Sequence, residues 1–555
     1  MSALPVFRAA RPRTAELVRD RLGAAGSPRC ELGWAGPVRA PLADEVAVQA
    51  ACGIMQVHGR AAGRPRELGV AGASVLAGAL AAHGELAAAI ARARGGRVER
   101  VRTSVAQAAL FGVRQYLAVA AREPDAHPGG AGRRPPFTSA DGIRFELETL
   151  DAEPWLGFWL RLGAGTGAIS RGWFPFQQRF ATARCALPAE LHEVAGRARF
   201  AAVRAAAAAH GVSVLAVRHD PEPPREVPAW ESSPLPGAAA ASAALPGPGS
   251  APLAGLVAVE CTRRVQGPVA GLVLAMLGAE VIRVEPPGGD PMRGVPPMAG
   301  ACSARYRALN DGKRTVEVDI KSAAGRRELR ELVAGAEVFV HNWAPGRAAR
   351  LGLDATDLAR ARPGLVYAAA AGWDPAAGPD PPLGTDFLVQ AGSGLAAALT
   401  PAGEPVAPTL LTLTDVLGGL VCAHGVLAAL LRRIRTGTGS RVDSSLFSAA
   451  GLVPRAARAR PRPWDGPLRT ADGFAVLPET TAPEAATALF GAAPERIARR
   501  CREEPTATWV ARGAALDLVL TPVCADLGEL VADARFAPAL GRTGHGFAPP
   551  PWEFS

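Results

Sequence analysis

The chain matches itself. A segment starting EVAVQAACGIMQVHG at Glu45 and running on through VLAGALAAHGELAAAIARARGGRVERVRTSVAQAALF aligns without a gap with a later one. That later segment starts DFLVQAGSGLAAALT at Asp386 and runs on through VLGGLVCAHGVLAALLRRIRTGTGSRVDSSLFSAAGL. Val48 falls on Val389, Gly53 on Gly394, His83 on His424 and Ser104 on Ser445. An Ala-rich composition explains shared alanines, but not VQA, the glycine, AHG and the serine in one register. The flanks agree: GWAGP (Gly33 to Pro37) and GWDPAAGP (Gly372 to Pro379) precede the copies, and SADG (Ser139 to Gly142) and TADG (Thr470 to Gly473) follow them. Internal self-similarity fixes architecture before any local reading does.

The two copies differ upstream. The second is preceded by strand–helix alternation from LVAVEC (Leu256 to Cys261) onward; the first has only a short lead. The expected organisation is therefore an N-terminal segment 1–30, a truncated copy 31–220, a Pro/Ala/Gly-rich linker 221–252, a large domain 253–455, and a small domain with a C-terminal return 456–555. LVAVEC, a loop TRRVQGP, an apolar helix and EVIRVE (Glu280 to Glu285) read as a β-α-β unit. TVEVDI, EVFVHN and LVYAAAAGW continue the series. The expected fold is α/β: an open parallel Rossmann-like sheet with a small α+β domain, preceded by a partial repeat of the same fold.

Composition excludes several classes. The 555 residues carry 48% hydrophobic and 20% charged residues, so the chain is not wholly disordered. The net charge of +10 comes from arginines spread along the sequence, with Lys313 and Lys321 the only lysines. No basic, aromatic-rich segment offers a stacking platform, so no nucleic acid is expected. The 8 cysteines form no C-x-x-C pair and no His cluster joins them, so no metal is expected. The longest apolar runs are about a dozen residues, short of the ~20 that span a bilayer. With no secretory leader pattern at the start, no membrane partner and a cytoplasmic location are expected. No G-x-G-x-x-G follows the first strand, which removes support for a nicotinamide site.

The ordered set TRRVQGP, LGAEVIRVEPPGGDPMRG, LNDGKRTVEVDIK, FVHNWAPGRAARLGL, GLVYAAAAGW and GTDFLVQAGSGL resembles the class III CoA-transferase (CaiB/BaiF) family. The resemblance covers 253–450 and, partially, 31–110. It implies an enzyme that moves coenzyme A between carboxylic acids through an aspartyl mixed anhydride and an aspartyl-CoA thioester. Acyl-CoA and a free acid would be its partners, no cofactor would be tightly bound, and an interlocked homodimer would form. The nucleophile it implies is Asp386, whose alternative reading is a helix N-cap. The CoA-facing positions it implies are Val265, Gln266, Asp319, Lys321, Asn342, Trp343, Arg350 and Gly372. Trp343 stands where the family has Phe and either flanks the ligand or fills core. Arg283 and Arg314 read as solvated charges, His83 and His424 as helix-packing histidines, Ser104 and Ser445 as caps.

Three departures bear on function. Glu45 replaces Asp in the first copy and is one methylene longer than a thioester attack needs. The small domain looks trimmed, and no glycine-run lid is present. The alternatives are a 2-methylacyl-CoA racemase-like isomerase and a non-catalytic CoA-binding scaffold. Proton exchange needs two bases across one carbon, yet Thr385 precedes Asp386 and no His lies between His341 and His424.

Overall fold

The computed structural model describes residues 11–23, 28–122, 133–235, 247, 251–401, 403–455, 462–543, 546–547 and 549–555. Its main sheet has seven strands, numbered in chain order: β1 (Trp230–Pro234), β2 (Val257–Cys261), β3 (Glu280–Glu285), β4 (Arg314–Glu317), β5 (Val338–His341), β6 (Val366–Ala371) and β7 (Ser440–Ser445). They lie in the order β4-β3-β2-β5-β6-β7-β1. All neighbours are parallel except β1, which runs antiparallel to β7. The strand order reverses between β2 and β5, where doubly wound sheets open a crevice beyond the strand C-termini.

β1 corrects the expected linker. Residues 230–234 pair with β7, Ser444 opposite Trp230 and Ser440 opposite Pro234. Prolines on both sides disguised this edge strand, a position that proline-rich sequence tolerates. Residues 236–246 and 248–250 of the same stretch lie outside the described residues.

Five helices position the site: α1 (Glu45–Ala51), α2 (Gly72–Ala93), α3 (Gln266–Met276), α4 (Asp386–Gly392) and α5 (Leu413–Thr436). Ala and Leu favour helix, and α5 stops at Gly437, a left-handed residue (φ 70°) whose N–H donates to Arg433 O. α2 and α5 pack against each other, with the His83 and His424 rings 5.8 Å apart. By length and composition both could cross a bilayer, contrary to the short apolar runs read from the sequence. They are instead buried for 100% and 89% of their apolar stretches. Isolated polar residues such as His83 and Glu85 broke the runs in the sequence without breaking the buried helix. As expected, both histidines are packing groups. His83 Nε2 donates to Leu420 O (2.8 Å) and His424 Nε2 to Leu22 O (3.0 Å), and burial pushes the imidazoles down to about 3 and about 4.

The same joinery occurs at two places. Trp230 of β1 lies 6.0 Å from His424. Trp552, beside the short strand Glu553–Phe554, lies 6.2 Å from His83. That short strand runs antiparallel to Val101–Ser104, as β1 does to β7. A Cβ on Gly425 would come within 2.6 Å of Val442, and one on Gly84 within 2.6 Å of Val101, so both helices need glycine to reach their strands.

Among the smaller sheets, two three-stranded ones flank the site helices. One is built from Phe137–Thr138, Arg144–Glu148 and Ser213–Ala216, the other from Leu468–Arg469, Phe474–Val476 and Thr521–Pro522. Each covers a short helix of the other half. Arg218 N donates to Ala391 O of α4 (3.0 Å), and Cys524 N donates to Ala50 O of α1 (2.9 Å).

The C-terminal strand is held by Trp552, buried with its indole N–H on Leu80 O at 2.6 Å. Trp552→Ala is expected to cost about 3–5 kcal/mol, read from the urea midpoint. A loss under about 1 kcal/mol would show that the tail is not anchored by this ring.

Candidate functional site

Asp386 opens α4, but it does not cap it. The N-cap is Thr385, and the Asp386 carboxylate turns instead toward the next helix. Its Oδ2 accepts the backbone N–H of Asp415 in the first turn of α5 (2.8 Å), and Oδ1 accepts Gln390 Nε2. Gln390 is one helical turn on, the spacing that brings side chains together. It is pinned in turn, with Oε1 accepting Thr409 N (2.8 Å) and Nε2 donating to Thr409 O (3.2 Å). Asp386 is only 2% exposed, and no cation among the described residues pairs with it. Burial pushes its pKa up to about 6, while the bonds from Gln390 and the Asp415 amide pull it back. Asp415, half-buried beside it, is held well above the ordinary carboxylate range by burial and by the Asp386 charge. A desolvated carboxylate, oriented by neutral donors and a helix N-terminus, is equipped to act as a nucleophile near neutral pH.

Around Asp386 the sheet contributes backbone. Gln266 sends Nε2 to Ala371 O (3.0 Å). Next along, Gly372 lies against Gly384, so close that a Cβ on Gly372 would be 2.0 Å from Gly384 Cα. Val265, Gln266, Gly372 and Asp386 are thus joined through one run of contacts. Val265 is 0% exposed and offers no side-chain surface. Asn342 spans the β2–β5 crevice, its Oδ1 accepting Arg263 N (3.0 Å) and its Nδ2 donating to Arg263 O (2.9 Å). Trp343 is half-buried and packs on His341 (4.7 Å) and edge-on to Phe339 (5.9 Å). Asp319, Lys321 and Arg350 stand exposed in the segments after β4 and β5. Asp319 Oδ1 accepts Lys321 N (3.0 Å), which shapes that turn.

Arg283 is not a solvated charge. It is 1% exposed and joins an ionic network, with Nη2 to Asp290 (2.6 Å), Nε to Glu285 (3.2 Å) and Nη1 to Glu260. Lys313 meets Glu260 (2.7 Å), and Arg293 meets Glu285 (2.7 Å). A buried charge survives where opposite charges and hydrogen bonds surround it, and those partners sit on separate elements. Arg314 is the exposed charge expected, paired with Glu280 at 3.2 Å. Ser104 and Ser445 cap their helices, accepting Gln107 N (3.2 Å) and Ser448 N (2.9 Å).

Sequence reasoning missed Gln390, Asp415 and the groups that the N-terminal half brings to this place. Arg179 is buried, with its guanidinium 4.6 Å from the Phe387 ring centroid and paired with Glu148 (3.2 Å) and Glu146 (3.6 Å). Only the four-residue step from Asp386 to Gln390, matched by Glu45 to Gln49, was visible in the sequence. Glu45 is held in the corresponding way, by Gln49 Nε2 (3.0 Å), Ala73 N (2.8 Å), Ser74 N (2.9 Å) and Ser74 Oγ (2.6 Å).

The CoA-transferase family III model matches residues 32–226 and 253–460, more than half of the chain. The chain is 36% identical over 201 residues to a succinyl-CoA:glutarate CoA-transferase of Mus musculus, covering 36% of this chain and 46% of that protein. It is 35% identical over 202 residues to an acetyl-CoA:oxalate CoA-transferase of Acetobacter aceti, covering 35% and 51%. It is 36% identical over 263 residues to a probable fatty acyl-CoA transferase of Mycobacterium tuberculosis, covering 41% and 65%. A CaiB/BaiF family protein from Brucella suis superposes with a TM-score of 0.46 at 26% identity, covering 52% of this chain and 88% of that one. The chain thus spans about half the length of the first curated relatives it matches. With the motifs in order and the model matching on both sides of residues 227–252, the chain belongs to CoA-transferase family III.

Proposed function

We propose that this chain transfers coenzyme A from an acyl-CoA to a free carboxylic acid, with Asp386 as the covalent nucleophile. The Asp386 carboxylate attacks the thioester carbonyl carbon, the C–S bond breaks, and CoA leaves as the thiolate. The thiolate then attacks Asp386 Cγ of the mixed anhydride, releasing the donor acid as its carboxylate and leaving an aspartyl-CoA thioester. The acceptor carboxylate attacks that thioester and releases the thiolate again. The thiolate attacks the acceptor carbonyl, which forms the new acyl-CoA and frees Asp386. No net proton is needed. The observation that carries this reading is the Asp386 carboxylate itself: buried, paired with no cation among the described residues, and aimed by Gln390 and the Asp415 amide.

In this reading the crevice between β2 and β5 receives CoA. Backbone around Val265, Gln266 and Gly372 faces the pantetheine, Asn342 holds the crevice wall, and Trp343 lends a ring face. The exposed Lys321 and Arg350 meet the phosphates, and Asp319 holds the Lys321 turn in place. The Asp415 amide, at a helix N-terminus, doubles as a donor to charge developing on oxygen.

The N-terminal half acts as a degenerate, truncated copy of the family domain that keeps a structural task. Its small sheet covers α4, as the C-terminal small sheet covers α1. Glu45 accepts four donors from its own surroundings and has Ser74 where the other site has Asp415. It therefore works as a buried brace. The interlock that the resemblance assigns to two chains is supplied within one, so the functional unit is a monomer.

Four measurements test this. Asp386→Ala is expected to abolish CoA exchange, and Glu45→Ala to leave it within about threefold in folded protein. Mass spectrometry of the enzyme quenched with hydroxylamine should place the modification on Asp386; a label elsewhere rejects the assignment, and wild type that binds CoA but never labels favours a scaffold. The rate of acyl-enzyme formation should fall as pH drops through about 6, because the Asp386 pKa is raised to about 6 and only its ionised form attacks. A rate flat from pH 7 to pH 4, by stopped flow, contradicts that. Sedimentation equilibrium at micromolar concentration should give 57.1 kDa; twice that mass restores the homodimer.

A further inference from the structure

Arg264 lies between β2 and α3 with φ 64°, in the left-handed region that favours glycine. An arginine kept where glycine would fit without strain directs attention to its side chain. The loop that carries it is clamped onto α5. A Cβ on Gly419 would meet Gln266 O at 2.4 Å, and one on Gly418 would meet Gln266 Nε2 at 3.2 Å. That is one turn beyond Asp415, whose amide holds Asp386. From this clamp the half-buried guanidinium reaches the N-terminal half, its Cζ 5.1 Å from the Phe180 ring centroid. No hydrogen bond or ion pair among the described residues occupies it. The other buried cations nearby are engaged: Arg179 with Glu146 and Glu148, Arg283 and Lys313 with Glu260.

We propose that Arg264 docks the distal carboxylate of a dicarboxylic acyl group, so that the substrates at Asp386 are CoA esters of short dicarboxylic acids. This rests on the transferase reading above. A guanidinium seated on an aromatic ring presents a planar fork that binds a carboxylate with two parallel bonds. The diphosphate of CoA lies at the far end of the pantetheine arm from the thioester, whereas the loop that carries Arg264 packs through Gln266 onto α5 one turn beyond Asp415. Burial, ahead of the Asp386 and Glu148 charges, pushes Asp415 well above the ordinary carboxylate range, and Arg264 opposes this.

The test uses succinyl-CoA and butyryl-CoA, which share a chain length and differ in the terminal group. In full-length protein carrying Asp386→Ala, which blocks turnover, calorimetry should show succinyl-CoA bound at least about tenfold more tightly, the scale of a hydrogen bond to a charged group. Adding Arg264→Gln should erase that difference and leave butyryl-CoA affinity within about threefold. Arg264→Gly, which also relieves the left-handed strain, should do the same with an undiminished melting temperature. Equal affinity for the two esters in the Asp386→Ala protein overturns the docking role, whether or not the wild type transfers CoA. Equal weakening of both esters by Arg264→Gln also overturns it and assigns Arg264 to CoA itself. Failure to bind any CoA ester overturns this proposal and the transferase reading together. Wild type that exchanges CoA fastest between monocarboxylic acids rejects the dicarboxylate alone.

Discussion

The contact between α2 and α5 is the constraint from which the rest follows. Two helices of small and aliphatic residues lie together in the centre, close enough for His83 and His424 to sit ring to ring. Burial keeps both imidazoles neutral, so no charge is stranded there. Each helix then directs its first-turn amides at a carboxylate on a short helix: α5 at Asp386, α2 at Glu45. The two sites are therefore consequences of one packing arrangement. The two carboxylates differ by a methylene, and Ser74 stands at one site where the other has Asp415.

A second constraint secures the loop above the crevice. Thr262 begins that loop, with Oγ1 donating to Glu260 Oε1 (2.7 Å) and its carbonyl accepting Arg283 Nη2 (3.2 Å). Burial pushes Lys313 down to about 8, yet Glu260 keeps it engaged. Buried ion pairs of this kind contribute little net stability compared with apolar residues of the same shape. What they give here is position. Arg283 and Asp290 fix where the backbone leaves β2, and so where Arg263 and Arg264 point.

Strands β2 to β6 and the helical character around His83 and His424 were legible because periodicity and turn residues agree locally. The alternation in EVIRVE and the AHG-centred apolar helices mark elements whose burial is decided nearby. Asp386 was singled out only through family motifs, since an Asp at a helix start reads equally as a cap, and here Thr385 takes the cap position instead. Three features resisted sequence reading for physical reasons. β1 is an edge strand whose partner lies some two hundred positions away. Arg283 looks like a surface residue because two of its compensating charges, Glu260 and Asp290, come from outside its own strand. The tryptophan–glutamate pairs Trp230–Glu231 and Trp552–Glu553 perform matching tasks, yet their spacing departs from the register of the main alignment, so an ungapped comparison passes over them. The Arg179 and Phe180 contributions to the site are equally non-local.

The strand at Glu553–Phe554 closes the edge of Val101–Ser104. On a ribosome the two emerge some 450 residues apart, and long-range pairings of this kind are slow to form even in the finished chain. The early half must therefore wait with an open hydrogen-bonding edge and an uncovered His83 helix while the later half emerges. Such a nascent intermediate is exposed to mispairing. Its protection falls to whatever shields that edge in the interval, so biogenesis, rather than the stability of the finished molecule, becomes the step most sensitive to damage at residues 551–555.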